Sequence, residues 1–312
     1  MEKSLFEKRL TESANLLGNS ICLGIDPHFK SEVPQFFKQE MSRISIQEFL
    51  LNFSYSCIDA ARGLVPIVKF QSALFEQYGS EGIAALEKGV SYARAKSVLT
   101  ILDAKRCDIS TTMQAYGTYA FEYCQADALT IIGYMGSDTL NALIPWMHQG
   151  KFIYLVLYSS NLSGQTLQQK VLGEVTTVPA NKISTSAAAL FDHFITFCRK
   201  NNISNSLGFV IGAEYFTQKK YFTLLEQFSK SLLLIPGFGA QGLNYSDVAA
   251  ELKHLLKKDT YVTSQSRSLL GIGLKKLDNK IEGVKSWQDY SSYVASNIKK
   301  QIQIFKSVVN LQ

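Results

Sequence analysis

The sequence predicts a (β/α)8 TIM barrel with an extra N-terminal helix. Short apolar runs rich in β-branched residues recur eight times, and segments of helical periodicity separate them. Runs buried on both faces and joined by helix-length crossovers imply a parallel sheet covered by helices. Eight such units in roughly 250 residues suit a closed barrel better than an open doubly wound sheet.

Leu5 to Leu17 reads as a helix that caps the barrel before its first strand. The strands are expected at Ile21 to Ile25, Val65 to Phe70, Val98 to Leu102 and Ala128 to Ile132, then at Phe152 to Leu157, Gly208 to Ile211, Leu232 to Ile235 and Tyr261 to Thr263. Between them, Met113, Tyr116, Ala120 and Tyr123 recur at helical spacing. So do Trp287, Tyr290, Val294, Ile298 and Phe305 in a last long segment. Residues 27 to 44 and 159 to 182 carry Pro, Gly, Ser, Asn and Gln, and are expected to be elaborated loops. One domain over residues 1 to 312 is the simplest organisation.

Of the 312 residues, 46% are hydrophobic, and 32 basic against 26 acidic residues leave a net charge of +6. That composition supplies a substantial core and excludes a disordered or collagen-like chain. The longest apolar run, Phe152 to Tyr158, is strand-sized, far short of the roughly 20 residues that cross a bilayer. Charges interrupt the first seventeen residues, so a secretory signal is not expected and the cytoplasm is. Cys22, Cys57, Cys107, Cys124 and Cys198 are odd in number and widely spaced, which suggests reduced thiols and neither a disulfide framework nor a zinc site. The small positive excess is dispersed. It argues against a nucleic-acid surface and suits an anionic small substrate.

In such a barrel the reactive groups sit where strands end. Asp103 and Lys105 stand two apart at the end of the third predicted strand, so alternation points both into one space. A rim salt bridge accounts for them equally well on spacing alone, but Lys69 also falls at a strand end. Asp108, three residues beyond Lys105, either joins these groups or caps the helix led by Ile109-Ser110-Thr111. Two ammonium groups gathered with two carboxylates remain protonated despite desolvation, and a charged lysine is a proton donor; an uncharged one is a Schiff-base nucleophile. Pro236-Gly237-Phe238-Gly239-Ala240-Gln241-Gly242 contains G-x-G-x-x-G, but it follows the seventh strand and not the first of a dinucleotide unit. At that place in a barrel, glycine-rich loops hold phosphate through backbone N–H groups, and Arg267 just past the eighth strand could pair with it. A solvated loop arginine is the plainer alternative for Arg267.

Gly24-Ile25-Asp26-Pro27-His28, Val68-Lys69-Phe70-Gln71, Asp103-Ala104-Lys105-Arg106-Cys107-Asp108-Ile109, the Pro236 to Gly242 loop and Ser266-Arg267, taken in order, resemble orotidine 5′-phosphate decarboxylase, in particular its bacterial type 2 subgroup. The resemblance implies conversion of orotidine 5′-monophosphate to uridine 5′-monophosphate and CO2 in pyrimidine biosynthesis, without metal or organic cofactor, by a homodimer with shared sites. It further implies Lys105 as proton donor to C6, Asp103 facing the substrate carboxylate, and Lys69 bridging to the ribose. Asp108 would come from the partner subunit with Thr112 beside it. Asp26 would hold a ribose hydroxyl, Ser160 the pyrimidine, and Gln241 and Arg267 the phosphate, with Gly237 and Gly239 in the phosphate loop. Cys107 stands where the family usually has glycine, so if the turn needs positive φ the backbone there must carry strain or take another shape. The fourth strand lacks the usual proline before Tyr134, and Tyr158-Ser159-Ser160-Asn161 departs from the usual basic residue followed by Thr-Ser-Asn. The alternatives are a magnesium-dependent sugar-phosphate enzyme of the same barrel superfamily, a lysine Schiff-base aldolase, and a non-catalytic phosphate-ligand sensor.

Overall fold

The computed structural model describes residues 3–29, 33–170, 185–239, 243–255, 260–274 and 279–309. Eight parallel strands close into a barrel in sequence order. They are β1 (Ile21–Ile25), β2 (Ile67–Gln71), β3 (Leu99–Arg106), β4 (Ala128–Ile132), β5 (Phe152–Tyr158), β6 (Leu207–Ile211), β7 (Leu233–Pro236) and β8 (Tyr261–Gln265). Each lies where an apolar run predicts it. The largest difference is β3, which runs on through Asp103-Ala104-Lys105-Arg106, polar residues that hydrophobicity alone does not assign to a strand.

The N-terminal helix α1 (Leu5–Leu17) is a plug. Ser4 and Glu7 close a capping box at its start: Glu7 N donates to Ser4 Oγ at 3.2 Å and Ser4 N donates to Glu7 Oε2 at 3.1 Å. Its buried residues Phe6, Leu10 and Ala14 recur every fourth position. Phe6 and Leu10 enter the barrel interior beside Ile67, Leu99, Phe152 and Tyr154. The Phe6 ring stacks on Phe152 with centroids 4.8 Å apart. Gly208 makes room for that pair, because a Cβ there would stand 2.8 Å from the Phe152 ring. Arg9 Nη1 fastens the plug to Asp127 Oδ1 at 3.0 Å, while Asp127 Oδ2 accepts from Thr100 N and Oγ1 at 2.9 and 3.0 Å. The N-terminal end of the barrel is therefore filled and tied.

A second core separates strands from outer helices. Phe49 and Phe53 of the helix Ile46–Ala61 meet Phe29 edge-on, Phe37 meets Phe49 and Tyr290 in the same way, and Phe53 stacks on Tyr290. Tyr290, Val294, Ile298 and Phe305 form the buried stripe of the last helix, Trp287–Val309, as the periodicity predicts. No helix among the described residues is long and apolar enough to cross a membrane.

Two expectations need correction. The connection over residues 27 to 44 contains a helix, Gln35–Arg43, and the one over 159 to 182 contains Leu162–Gln168; residues 171 to 184 lie outside the described set. Both helices are short and largely polar, so too few apolar positions were present to show a period. Tyr123 leaves the buried face of its predicted helix and is 67% exposed. The α-helix Ser110–Thr118 passes into a π-helical turn at Tyr119–Tyr123, and the wider turn shifts the phase of the side chains. Of the two outcomes open at Cys107, the turn takes another shape: Cys107 is absent from the residues with positive φ, while Lys105 (φ 48°) and Ser110 (φ 45°) have it.

Candidate active site

At the C-terminal mouth of the barrel a cavity of about 560 Å³ is bordered by Asp26, Lys69, Asp103, Lys105, Ser160 and Arg267 among others. These residues come from the ends of β1, β2, β3, β5 and β8, where parallel strands direct successive side chains alternately inward. Lys69, opposite Ile101 in the β2–β3 ladder, is only 6% exposed.

The charges alternate in a line. Lys69 Nζ lies 2.9 Å from Asp103 Oδ2 and 3.7 Å from Asp26 Oδ1, and Lys105 Nζ donates to Asp103 Oδ1 at 2.6 Å. One carboxylate thus holds both ammonium groups, one on each oxygen. The second carboxylate in the chain's own cluster is Asp26, where the sequence also offered Asp108. The Lys105 side chain is 43% exposed against 8% for Lys69, so of the two lysines that border the cavity Lys105 is the more open to it.

Burial pulls the Lys69 pKa down, but the charges of Asp103 and Asp26 overcome it and hold the amine above its ordinary 10.5. Burial likewise pushes Asp103 up, and Lys69 and Lys105 more than reverse the effect, leaving its carboxyl below the ordinary 3.8. The depressed Asp103 favours the native state above pH 3.8, and that contribution is lost as acid titrates it in the fold. The raised Lys69 favours the native state below pH 10.5, and is lost as alkali titrates the native amine. Between those limits the pair stays ionised. Beneath it, burial pushes the Cys22 thiol up to about 12, with Lys69 opposing, so the thiol is neutral.

Ser160 borders the cavity just past β5, and Arg267 opens the short helix Arg267–Leu270 just past β8. Gly237 also borders it. Gly237 and Gly239 have φ of 119° and 77°, conformations that favour glycine at both positions. The Gly239 N–H is engaged within the loop, donating to Leu243 O at 2.8 Å. Gln241 lies outside the described residues. Asp108 and Thr112 do not border the cavity of their own chain. Asp108 is half-buried and accepts from Ile109 N at 2.8 Å, while Ile109 occupies the helix N-cap without a side-chain cap, so the capping alternative for Asp108 does not hold. Thr112 is exposed.

Sequence reasoning did not single out four polar neighbours. With its amide turned to donate, Gln71 Nε2 lies 2.6 Å from Asp103 O and 3.1 Å from Asp103 Oδ2. Gln71 is two residues past Lys69, so strand alternation alone could have placed it at the cavity. His28 and Ser266 also border the cavity; burial pushes the His28 pKa down, with Asp26 raising it and Arg267 lowering it further. Thr130, fully buried on β4, donates to Asp103 Oδ1 at 2.9 Å. Nothing in the sequence distinguishes it from an ordinary strand threonine.

The family model for orotidine 5′-phosphate decarboxylase / HUMPS matches residues 19–269. The chain belongs to this family. Membership makes it a carboxy-lyase of the orotidine 5′-phosphate decarboxylase type, as the motifs led one to expect. It is 28% identical over 311 residues to the orotidine 5′-phosphate decarboxylase of Petrotoga mobilis, covering 96% of this chain and 99% of that protein. To the enzyme of the same name from Methylibium petroleiphilum it is 33% identical over 263 residues, covering 83% and 85%. The crystal structure of Plasmodium berghei orotidine 5′-monophosphate decarboxylase superposes with a TM-score of 0.70 at 20% identity, covering 97% of this chain and 99% of that one. That likeness concerns the fold, and it agrees with the closed eight-stranded barrel.

Proposed function

We propose that this chain decarboxylates orotidine 5′-monophosphate with Lys105 as proton donor to C6, in a homodimer whose partner supplies Asp108 and Thr112 to each site. The observation that carries the reading is the Lys105 ammonium, held on Asp103 opposite the buried Lys69 and presented to the cavity.

Loss of CO2 leaves an electron pair on an sp² carbon of the pyrimidine, in an orbital the ring π system does not delocalise. The protein has to stabilise that charge. An ammonium already fixed in place does so without reorganising as the carboxylate departs, then transfers its proton so that the C6–H bond replaces the C6–carboxylate bond. Lys105 is left neutral and regains its proton from solvent through the open side of the cavity. Asp103, between the two lysines, orients them and faces the substrate carboxylate. Lys69 and Asp26 take the ribose hydroxyls, and Ser160 the pyrimidine. Arg267, with Gln241 and the Gly237 to Gly239 segment, takes the phosphate; binding this remote group supplies energy for closure around the ring.

The shared site has its own support. Asp108 and Thr112 lie away from the cavity of their own chain, and the rim beside them is apolar and uncovered: Ile109 is 48% exposed, Tyr134 89% and Met135 46%. These residues follow the neighbouring strands β3 and β4, so they share one side of the mouth. A second copy meeting that rim in a two-fold contact buries the apolar groups and brings its Asp108 to the first copy's lysines.

Subunit mixing tests both parts together. Lys105→Ala and Asp108→Ala homodimers are each expected to be nearly inactive, whereas dissociation and random reassociation of the two restores activity to about one quarter of the sites. Inactive variants that gain nothing on mixing would refute the shared site. A Lys105→Ala protein with near-parental turnover would refute the proton donor.

A further inference from the structure

Between β3 and β4 the strand register slips. Leu102 pairs with Leu129 and Arg106 with Ile131, so Thr130 alone faces the three residues Asp103, Ala104 and Lys105. The surplus on β3 is a bulge, and Lys105 sits in it at φ 48°, a left-handed conformation unfavourable for a residue with a Cβ. Such a conformation persists only when its surroundings impose it.

The Thr130 hydroxyl bridges the bulge. Lys105 N donates to Thr130 Oγ1 at 3.0 Å, and Thr130 Oγ1 donates to Asp103 Oδ1 at 2.9 Å. The proton directions are unambiguous, because an amide N–H only donates and an ionised carboxylate only accepts. Asp103 Oδ1 is also the oxygen that receives the Lys105 Nζ proton at 2.6 Å. One fully buried hydroxyl therefore fixes the Lys105 main chain and the carboxylate that aims the Lys105 ammonium, closing a ring of main-chain and side-chain hydrogen bonds around the lysine. The same bond leaves Asp103 Oδ2 free for Lys69.

We propose that Thr130 is a positioning residue for the decarboxylation, holding the bulge of β3 in the conformation that presents the Lys105 ammonium to the cavity. The inference rests on the reading of Lys105 as proton donor. Valine replaces threonine at nearly equal volume but removes the acceptor for Lys105 N and the donor for Asp103. The bulge then loses its bridge, the lysine relaxes from its left-handed conformation, and Nζ moves. Displacement of a reacting group by about 1 Å costs on the order of 100-fold in rate.

The test compares the parent, Thr130→Val, Thr130→Ser and Lys105→Ala for kcat, KM, pH profile and thermal midpoint. Thr130→Val is expected to lose roughly 100-fold in kcat with KM within about threefold, since Thr130 lies behind the charge cluster and not at the phosphate. Its acid limb should move to higher pH as Asp103 loses a donated hydrogen bond. Thr130→Ser, which keeps the hydroxyl, should recover to within about fivefold of the parent. Should valine not fold, Thr130→Ala makes the same deletion with less crowding. If Lys105→Ala is inactive while Thr130→Val turns over like the parent, the Thr130 assignment falls alone. Equal losses in the valine and serine variants, tracking the thermal midpoint, also overturn it by marking a packing role. Parental turnover in Lys105→Ala removes the proton-donor reading and this inference with it.

Discussion

The two ends of this barrel are built from the same eight strands and treat polar groups in opposite ways. At the N-terminal end Phe6 and Leu10 of α1 fill the interior, and the Asp127 carboxylate is shared by Arg9 and Thr100. At the C-terminal end Asp26, Lys69, Asp103 and Lys105 crowd one opening, Lys105 is held in a left-handed conformation, and Asp26 Oδ1 and Ser266 Oγ are buried without a hydrogen-bond partner among the described residues. A closed, apolar base offsets the cost of an open, charged mouth. Stability and chemistry are thereby assigned to opposite ends of the same strands.

Substitutions at the two ends should separate along that division. The largest effect is expected from Lys105→Ala at the mouth: kcat falls by roughly 10⁴-fold or more with the thermal midpoint little changed, since the side chain is 43% exposed and Asp103 keeps Lys69 as its partner. A melting temperature that collapses together with kcat would erase the distinction between the ends. At the base, Phe6→Ala removes a fully packed ring and should cost about 3–5 kcal/mol in chemical denaturation, while kcat per folded molecule stays at the parental value. Lost turnover in the folded fraction would mean that the plug reaches the chemistry. Smaller again is Arg267→Ala, expected to weaken orotidine 5′-monophosphate by roughly 100-fold and orotidine, which lacks the phosphate, by little. Equal weakening of both in a competition assay would remove Arg267 from the phosphate.

The sequence made the barrel and much of the mouth legible because both depend on local pattern. Each predicted strand run overlaps an observed strand, and strand ends together with the motif resemblance pointed to Lys69, Asp103, Lys105, Asp26, Ser160 and Arg267, which border one cavity. What escaped was set by contacts between distant segments. The pairing of Asp26 with Lys69 joins two strands. The role of Thr130 arises only because a register slip leaves its hydroxyl opposite Lys105 N, and no one-dimensional pattern encodes a slip. The turn at Cys107 takes another shape, and the left-handed residue is Lys105, in the bulge that the register slip creates.

The most direct test is to follow orotidine 5′-monophosphate by its absorbance with the purified protein in buffer containing a strong chelator. Disappearance of the substrate with equimolar uridine 5′-monophosphate, at a rate the chelator leaves unchanged, is the predicted result. Intact substrate, or turnover that appears only after magnesium is restored, would contradict an ammonium-stabilised decarboxylation.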